Sequence, residues 1–228
     1  AKEAAANGYA TLKLKVAQGT LEQDETLLEA VRDSIGMEIK LRIDPNQAWE
    51  VSQAIESLHA LEPYDIEYVE QPVNARNLPG MIEVKRNSVI PIAVDEALTS
   101  LVSFEKLLNA DAADMLILKP ARIGSIRQSQ TILERGIKAG KGSVVTTSLE
   151  SGVGIASCSH LAMCLPDSSL AHGLATGHLL EEDLLVVSPT INRGMFTLPL
   201  STGLGVEVNM DTLKRHSIGI SGSIHSSY

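Results

Sequence analysis

Three acidic residues each follow a short apolar run directly: Asp44 follows LRI, Glu70 follows YV and Asp95 follows IAV. Three like charges gathered in a small volume repel one another strongly unless a cation holds them together. Carboxylate oxygens suit a hard divalent ion, so we expect Mg²⁺, or else Mn²⁺, whereas zinc prefers His or Cys ligands. Capping of a following helix explains each acid singly. It does not explain three acids at the same point of successive units.

Lysines flank these acids in the sequence. Lys13 and Lys15 lie two apart in ATLKLKV and therefore share one face of a strand, although this pattern alone also fits an edge strand with a solvated face. Lys119, in LILKP, brings a further ammonium from a later unit. A divalent cation between lysines suits removal of a proton next to a carboxylate, because the cation stabilises the enediolate while burial and positive charge lower a lysine pKa.

Elements of alternating type must position these side chains. Short β-branched runs alternate with helical stretches, and the strand ends recur about every 25 residues, which is room for one strand, one helix and two loops. The predicted strands are Ala10–Val16, Glu38–Ile43, Ile66–Val69, Pro91–Val94, Met115–Leu118, Ser143–Thr146 and, weakest, Ser169–Ala171. The predicted helices are Leu21–Ser34, Trp49–Leu61, Asn77–Asn87, Ser100–Asn109, Ile126–Ala139 and Val153–Cys164. This order predicts an α/β fold, a TIM-type (β/α) barrel with its chemistry at the carboxyl ends of the strands.

An open doubly wound sheet is the alternative architecture. Such a sheet usually carries a Gly-rich phosphate turn after its first strand, and the AQGTLEQDE that follows Val16 contains no GxGxxG. A later Gly-rich stretch, Ser151–Gly154, opens a predicted helix. A phosphate or carboxylate could rest on its amides, but a mere tight turn explains the glycines equally well.

Composition excludes several classes of partner. Among 228 residues, 19 are basic and 28 acidic, and the resulting net charge of -9 argues against a nucleic-acid or anionic-membrane partner. Aromatic residues make up 3%, too few for a base-stacking platform. Two cysteines, Cys158 and Cys164, do not make a disulfide framework and favour a reduced, cytoplasmic setting. The sequence contains no apolar run of membrane-spanning length and no signal peptide.

The chemistry-bearing residues resemble those of a known family. In order and spacing they are similar to the enolase superfamily, muconate lactonising enzyme subgroup, over roughly residues 8 to 187. Sites of that superfamily use a Lys or His base with magnesium on the enediolate. The matching motifs are Lys13-x-Lys15, Asp44 in DPNQAW, Glu70 in EQP, Asp95 in VDEAL and Lys119 in LKP.

The resemblance implies a role for each matched residue. Lys15 would be the acid/base lysine, Lys13 would support it and Lys119 would lie on the opposite face of the substrate. The implied Mg²⁺ ligands are Asp44, Glu70 and Asp95, with Asn46 and Glu96 beside the metal site.

Two stretches narrow the expectation within the subgroup. The segment TTSLESGVGIAS resembles the SLES-x-G-x segment of o-succinylbenzoate synthases and their N-succinylamino acid racemase relatives. This resemblance implies that Ser148, Ser151 and Gly152 contact the substrate or lie directly behind the residues that do. A dipeptide epimerase would carry an Asp-x-Asp pair at the last strand, and AHGLATGHLLEEDLL contains none. His172 and His178 flank that Gly-rich rim, and the acidic Glu181–Asp183 reads as a solvated helix turn.

The implied reaction is a Mg²⁺-dependent dehydration of a small carboxylate. It would convert 2-succinyl-6-hydroxycyclohexadiene-1-carboxylate to o-succinylbenzoate, a step toward menaquinone or phylloquinone. N-succinylamino acid racemisation and muconate cycloisomerisation in the same subgroup remain alternatives. A hypothesis of another class is an inactive metal-binding fragment that needs an N-terminal part to turn over.

The domain organisation follows from counting strands. Seven strands are predicted where a barrel has eight, and the first of the seven resembles the second barrel strand of the family. We therefore expect residues 1–187 to form a catalytic barrel without its first strand. Ala1 lies in what reads as a helix, so we expect the chain to start at a cut. The resemblance implies a preceding N-terminal α+β capping segment as a partner. Residues 188–228 would be an extension that packs on that cap, and homo-oligomerisation is left open.

Overall fold

The computed structural model describes residues 1–166, 170–198 and 201–219. Its main feature is a six-stranded parallel sheet in which neighbours along the chain are neighbours in the sheet, curled into a half-barrel. The strands are β1 Thr11–Lys15, β2 Lys40–Asp44, β3 Ile66–Glu70, β4 Ile92–Val94, β5 Met115–Leu118 and β6 Gly142–Val145. The helices are α1 Lys2–Ala6, α2 Leu21–Ile35, α3 Val51–Leu61, α4 Leu78–Arg86, α5 Leu101–Asn109, α6 Pro120–Ile123, α7 Ile126–Lys138, α8 Gly152–Ala162 and α9 Met210–His216. The (β/α) barrel class that the sequence predicts is confirmed.

The sheet has a core on each face because its central strands are apolar on both. One face packs against the helices in a large aliphatic cluster that includes Leu41, Val69 and Leu116. The other face encloses a smaller interior cluster, in which Tyr68 and Ile117 meet. The interior face also carries the charged side chains described below, because residues two apart on a strand share a face.

Most predicted helices begin within two residues of where the structure begins them, because capping residues mark the starts. Thr20 and Gln23 form a reciprocal capping box at α2, and Ser125 accepts a hydrogen bond from the third residue of α7. The short helix α6 and the helix α9, capped by Asn209, were not predicted. No helix in the described ranges is long and apolar enough to cross a bilayer.

The seventh predicted strand is the clearest difference. Leu170 and Ala171 lie outside any strand, whereas Ser169 falls outside the described residues. The chain instead joins the sheet through one parallel bridge between Gly173 and Thr146. A Cβ on residue 173 would lie 2.5 Å from the Thr146 hydroxyl oxygen, so only glycine allows this approach. The prediction of a strand at Ser169–Ala171 is therefore wrong in place and length.

Beyond Val187 the chain forms a small hairpin, in line with the short extended pieces expected there. Its strands are β7 Ile191–Asn192 and β8 Met195–Phe196. The turn between them rests on the backbone of Gly8, where a Cβ would meet Arg193 backbone atoms at 2.9 Å. The packing of residues 188–228 on a capping domain stays a prediction, and residues 220–228 lie outside the described part.

Candidate active site

The three acids lie together at the carboxyl ends of neighbouring strands. Asp44 ends β2, Glu70 ends β3 and Asp95 directly follows β4. They are almost fully buried, with exposed fractions of 1%, 1% and 2%. Buried carboxylates need paired charges or hydrogen-bond donors, because desolvation of an unpaired ion is costly. The rim of the half-barrel supplies those partners from both sides.

From the β1 side, two ammonium groups reach the acids. Lys13 Nζ donates to Asp44 Oδ2 at 3.0 Å and to Glu70 Oε1 at 2.9 Å. Lys15 lies level with Asp44 in the strand register, and its Nζ donates to Asp44 Oδ2 at 2.6 Å. Although β1 is an outer strand of the sheet, both lysines thus turn toward the carboxylates. An edge strand whose lysines are merely solvated is excluded.

From the other side, the residue after β5 and the short helix α6 bring two more cations. Lys119 Nζ donates to Asp95 Oδ2 at 2.6 Å and lies 3.9 Å from Glu70 Oε1. Arg122 Nη1 donates to Asp95 Oδ1 at 2.8 Å. Sequence reasoning missed Arg122, although its position three residues after Lys119 in a helical turn could have indicated a shared face.

Electrostatics distinguish the roles of the partners. Burial opposes ionisation of Asp44, but Lys13 and Lys15 outweigh it and hold the pKa of Asp44 below its ordinary value. Burial raises the pKa of Glu70, and the neighbouring acids add to this effect beyond what Lys13 offsets. Burial also acts against Lys13, yet Glu70 and Asp44 outweigh it, so the pKa of Lys13 lies above its ordinary value. A lysine held protonated in this way balances charge and is a poor base.

Backbone strain is concentrated next to the carboxylates. Asn46, Gln47 and Gln71 are non-glycine residues with φ of 48°, 67° and 41°. Conformations of this kind cost about 1–3 kcal/mol each and persist where the surroundings impose them, often at functional sites. Gln71, which sequence reasoning did not single out, is fully buried, and its Oε1 accepts hydrogen bonds from the backbone N–H groups of Asp95 and Ala97. It thereby fixes the turn that carries Asp95.

Asn46 and Glu96 form a link along the rim. The Asn46 side chain accepts a hydrogen bond from Lys15 Nζ and donates from Nδ2 to Glu96 Oε1 at 3.3 Å. Its backbone N–H donates to Asp44 Oδ1 at 3.0 Å. Glu96 Oε2 is buried and, within the described residues, has no hydrogen-bond partner. Both residues thus lie beside the carboxylates, as the resemblance implies.

The donor chemistry of the rim fits a hard divalent cation, because Asp44, Glu70 and Asp95 offer only oxygen ligands. Asp44 and Glu70 converge on the single ammonium of Lys13, which shows that their oxygens already surround one cation position. As placed, however, no three His, Cys, Asp or Glu side chains in the described ranges are close enough to enclose an ion. The lysine ammoniums would therefore have to move away from the carboxylates before these could bind a metal ion.

The residues expected to contact substrate lie after β6. Ser148 is exposed, and Ser151 precedes the first turn of α8. The Gly152 N–H donates to Asp183 Oδ1 at 2.7 Å, so a carboxylate of the chain itself caps this helix. Asp183 also accepts from the Leu184 N–H and is half-buried. Glu181 and Glu182 are exposed as expected, but the three acids lie outside any helix, and Asp183 is not simply solvated. The substrate contacts of the three residues stay predictions.

Glu150 is a further acid at this rim. It lies within the SLES segment, and sequence reasoning assigned it no role. Both of its carboxylate oxygens are buried without a hydrogen-bond partner in the described part of the chain. Its side chain packs against Gly154, where a Cβ would lie 2.5 Å from the Glu150 Cβ. A buried acid that lacks a partner within the protein is a candidate for contact with a bound molecule.

Comparison with known proteins places this geometry among related enzymes. The family described as enolase C-terminal domain-like matches residues 1–212. An o-succinylbenzoate synthase from Thermobifida fusca (strain YX) is 37% identical over 186 residues, which are 81% of this chain and 57% of that protein. The chain therefore spans less than two thirds of this relative.

Two solved structures are similar to the chain. Muconate lactonizing enzyme from Pseudomonas fluorescens, complexed with muconolactone, superposes with a TM-score of 0.88 at 27% identity, over 94% of this chain and 58% of that one. Dipeptide epimerase from Cytophaga hutchinsonii, complexed with Mg and the dipeptide D-Ala-L-Val, gives a TM-score of 0.85 at 30% identity, over 92% and 57%.

Proposed function

Because the chain belongs to the enolase C-terminal domain-like family, we propose that its rim removes the proton next to a substrate carboxylate, with Mg²⁺ as cofactor. The specific reaction proposed is dehydration of 2-succinyl-6-hydroxycyclohexadiene-1-carboxylate to o-succinylbenzoate, toward menaquinone or phylloquinone. The observation that carries the proposal is three buried carboxylates at successive strand ends with Lys15 and Lys119 approaching from opposite sides. Similarity to an o-succinylbenzoate synthase supports the choice of reaction.

The three lysines at the rim have different roles in the proposed reaction. In its neutral form, Lys15 takes the α-proton onto Nζ and then returns it to the departing hydroxyl on the same face, so that the C–O bond breaks and water leaves. Lys13 stays protonated beside Asp44 and Glu70 and balances their charge. Lys119 and Arg122 supply positive charge from the far side through Asp95. Formation of an aromatic ring makes the step strongly downhill.

Asp44, Glu70 and Asp95 are the residues that would hold Mg²⁺. A bound divalent ion would stabilise the negative charge that develops on the substrate carboxylate when the proton leaves. Asn46 and Glu96 would orient the rim beside it, since Asn46 bonds to both Lys15 and Glu96.

The proposal is tested by mixing the cyclohexadiene substrate with the full-length protein and Mg²⁺ and following the loss of diene absorbance. We expect turnover that Lys15→Met abolishes and that Lys138→Met, at an exposed site on α7, leaves unchanged. Absence of turnover in the unmodified full-length protein, or full activity in its Lys15→Met variant, would overturn the proposal.

Racemisation of N-succinylamino acids is the second candidate. It needs a base on each face of the α-carbon, and the positions of Lys15 on β1 and Lys119 after β5 favour it. Incubation of an N-succinylamino acid in D₂O distinguishes the two reactions. Deuterium uptake with inversion at the α-carbon that requires both lysines supports racemisation, and inversion without Lys119 argues against it.

A further inference from the structure

Arg42 is a buried cation below the rim that the proposed reaction does not use. It lies two residues before Asp44 on β2 and therefore faces the barrel interior, with a side-chain exposure of 5%. Its neighbours Leu41 and Ile43 face the helices and are fully buried. Burying a guanidinium is unfavourable unless charges and hydrogen bonds compensate, so its contacts carry information.

The Arg42 side chain spans the interior. Its Nε donates to Glu67 Oε2 at 2.6 Å, and its guanidinium lies over the Tyr68 ring, 4.6 Å from the centroid. Glu67 reaches it because the β2–β3 register shifts between Leu41 and Arg42, which leaves one extra residue on β3. Nη1 donates to the carbonyl of Ala171, 129 residues further along the chain, at 2.8 Å.

The far end of this contact joins the sheet without a regular ladder. The segment 170–173 joins β6 through a single bridge, in which the Gly173 N–H donates to Val145 at 2.9 Å and the Thr147 N–H donates to Gly173 at 3.0 Å. Arg42 adds an attachment from the opposite side of the interior. It thus connects the strand that ends in Asp44 to the segment that carries the rim residues His172 and Gly173.

We propose that Arg42 is a positioning residue that holds the segment 170–173 at the rim by bridging the barrel interior from β2. The bridge compensates for the absence of a regular ladder along this segment in the described structure. Its consequence for catalysis rests on the proposed function, in which the substrate binds at the rim of the half-barrel.

The environment of His172 agrees with such a bridge. The Val145 N–H donates to His172 Nδ1 at 3.3 Å, which requires an unprotonated acceptor nitrogen. Burial, and after it the charge of Arg42, lower the pKa of His172. The guanidinium therefore favours the neutral imidazole that bonds to the end of β6.

The test compares Arg42→Met with Arg32→Met. Arg32 is a matched control, since it is 8% exposed and donates to backbone carbonyls on the outer side of the sheet, Tyr64 among them. In Arg42→Met we expect the amides of Gly173 and Thr147 to exchange with D₂O about tenfold faster or more, which is local opening. The Thr146 amide, bonded to Leu118 on β5, should keep its rate.

Unchanged exchange at Gly173 and Thr147 in Arg42→Met would overturn the proposal. The same acceleration at Thr146, or in Arg32→Met, would also overturn it, because it would indicate general destabilisation. If Arg42→Met fails to fold, Arg42→Lys keeps the charge but loses the fork that reaches both Glu67 and Ala171, and the same amides are read in that variant.

An activity measurement then addresses the catalytic consequence separately. With diene turnover in the unmodified chain, Arg42→Lys should raise KM severalfold and leave kcat within about twofold, because it loosens binding without touching the lysines. A fall in kcat at unchanged KM contradicts the catalytic part. Hydrogen exchange does not require turnover, so failure of the proposed reaction and failure of the bridge are distinguishable.

Discussion

Replacement of Lys119 with methionine tests whether the rim is held by paired charges. The Lys119 side chain is 12% exposed and that of Asp95 is 2% exposed, with 2.6 Å between Nζ and Oδ2. Removing one partner of a buried ion pair costs about 3–5 kcal/mol, because the other charge stays buried and loses its compensation. Arg122 still bonds the second oxygen of Asp95, so we expect the lower end, about 3 kcal/mol.

This loss of unfolding free energy is measured by urea unfolding, and the matching fall in Tm by thermal unfolding, both in the presence of a chelator. For a domain of this size, about 3 kcal/mol corresponds to a fall in Tm of about 6–12 °C. Lys138→Met, at an exposed site, is the matched control and should change stability by less than about 0.5 kcal/mol.

The double variant Lys119→Met/Asp95→Asn separates a lost pair from lost packing. The double variant also removes the unpaired charge of Asp95. Its loss of unfolding free energy should therefore be smaller than the sum of the two single losses, by about 1–3 kcal/mol. Strictly additive losses, or a Lys119→Met protein as stable as the unmodified one, would refute the charge-pair reasoning.

Three further predictions concern the rest of the fold. Alkylation of the native protein should modify Cys164 and spare Cys158, because burial raises the pKa of the Cys158 thiol to about 12; equal rates at both contradict this. Phe104→Ala should cost about 3–5 kcal/mol in urea unfolding, since Phe104 is fully buried, and a loss below about 1 kcal/mol would contradict it. Hydrogen bonds from Lys141 and Lys85 lower the pKa of Asp111 to about 2, below its ordinary 3.8. The stability that these ion pairs contribute is present above pH 3.8 and is lost as pH falls through about 2. The difference in Tm between the unmodified protein and Asp111→Asn should therefore shrink from pH 5 to pH 2, and a constant difference argues against the ion pairs.

The positions of the acids could be predicted from the sequence because each one directly follows an apolar run and so lies at the end of a strand. A parallel sheet brings strand ends to one edge, so local patterns at Asp44 and Glu70 already contain the geometry. The pair Lys13 and Lys15 was readable for the same reason, since a two-residue period fixes a common face.

Hydrogen-bond partners that lie far apart in the sequence could not be predicted. Nothing near Gln71 shows that its side chain fixes the backbone of Asp95, 24 residues later. The hydrogen bond of Arg42 across the interior joins residues 129 apart. The Arg42–Glu67 contact beside it depends on a shift in the β2–β3 register that no local sequence pattern predicts. The seventh segment was misplaced because its attachment is one bridge at Gly173, too short to produce a strand pattern.

Titration calorimetry with Mg²⁺ tests the three rim carboxylates most directly. We predict one Mg²⁺ per chain and an affinity at least about tenfold weaker in Glu70→Gln, which keeps the shape of the side chain but removes one of three ligand charges. No binding to the unmodified chain, or the same affinity in Glu70→Gln, would contradict a metal-dependent site at the ends of β2, β3 and β4.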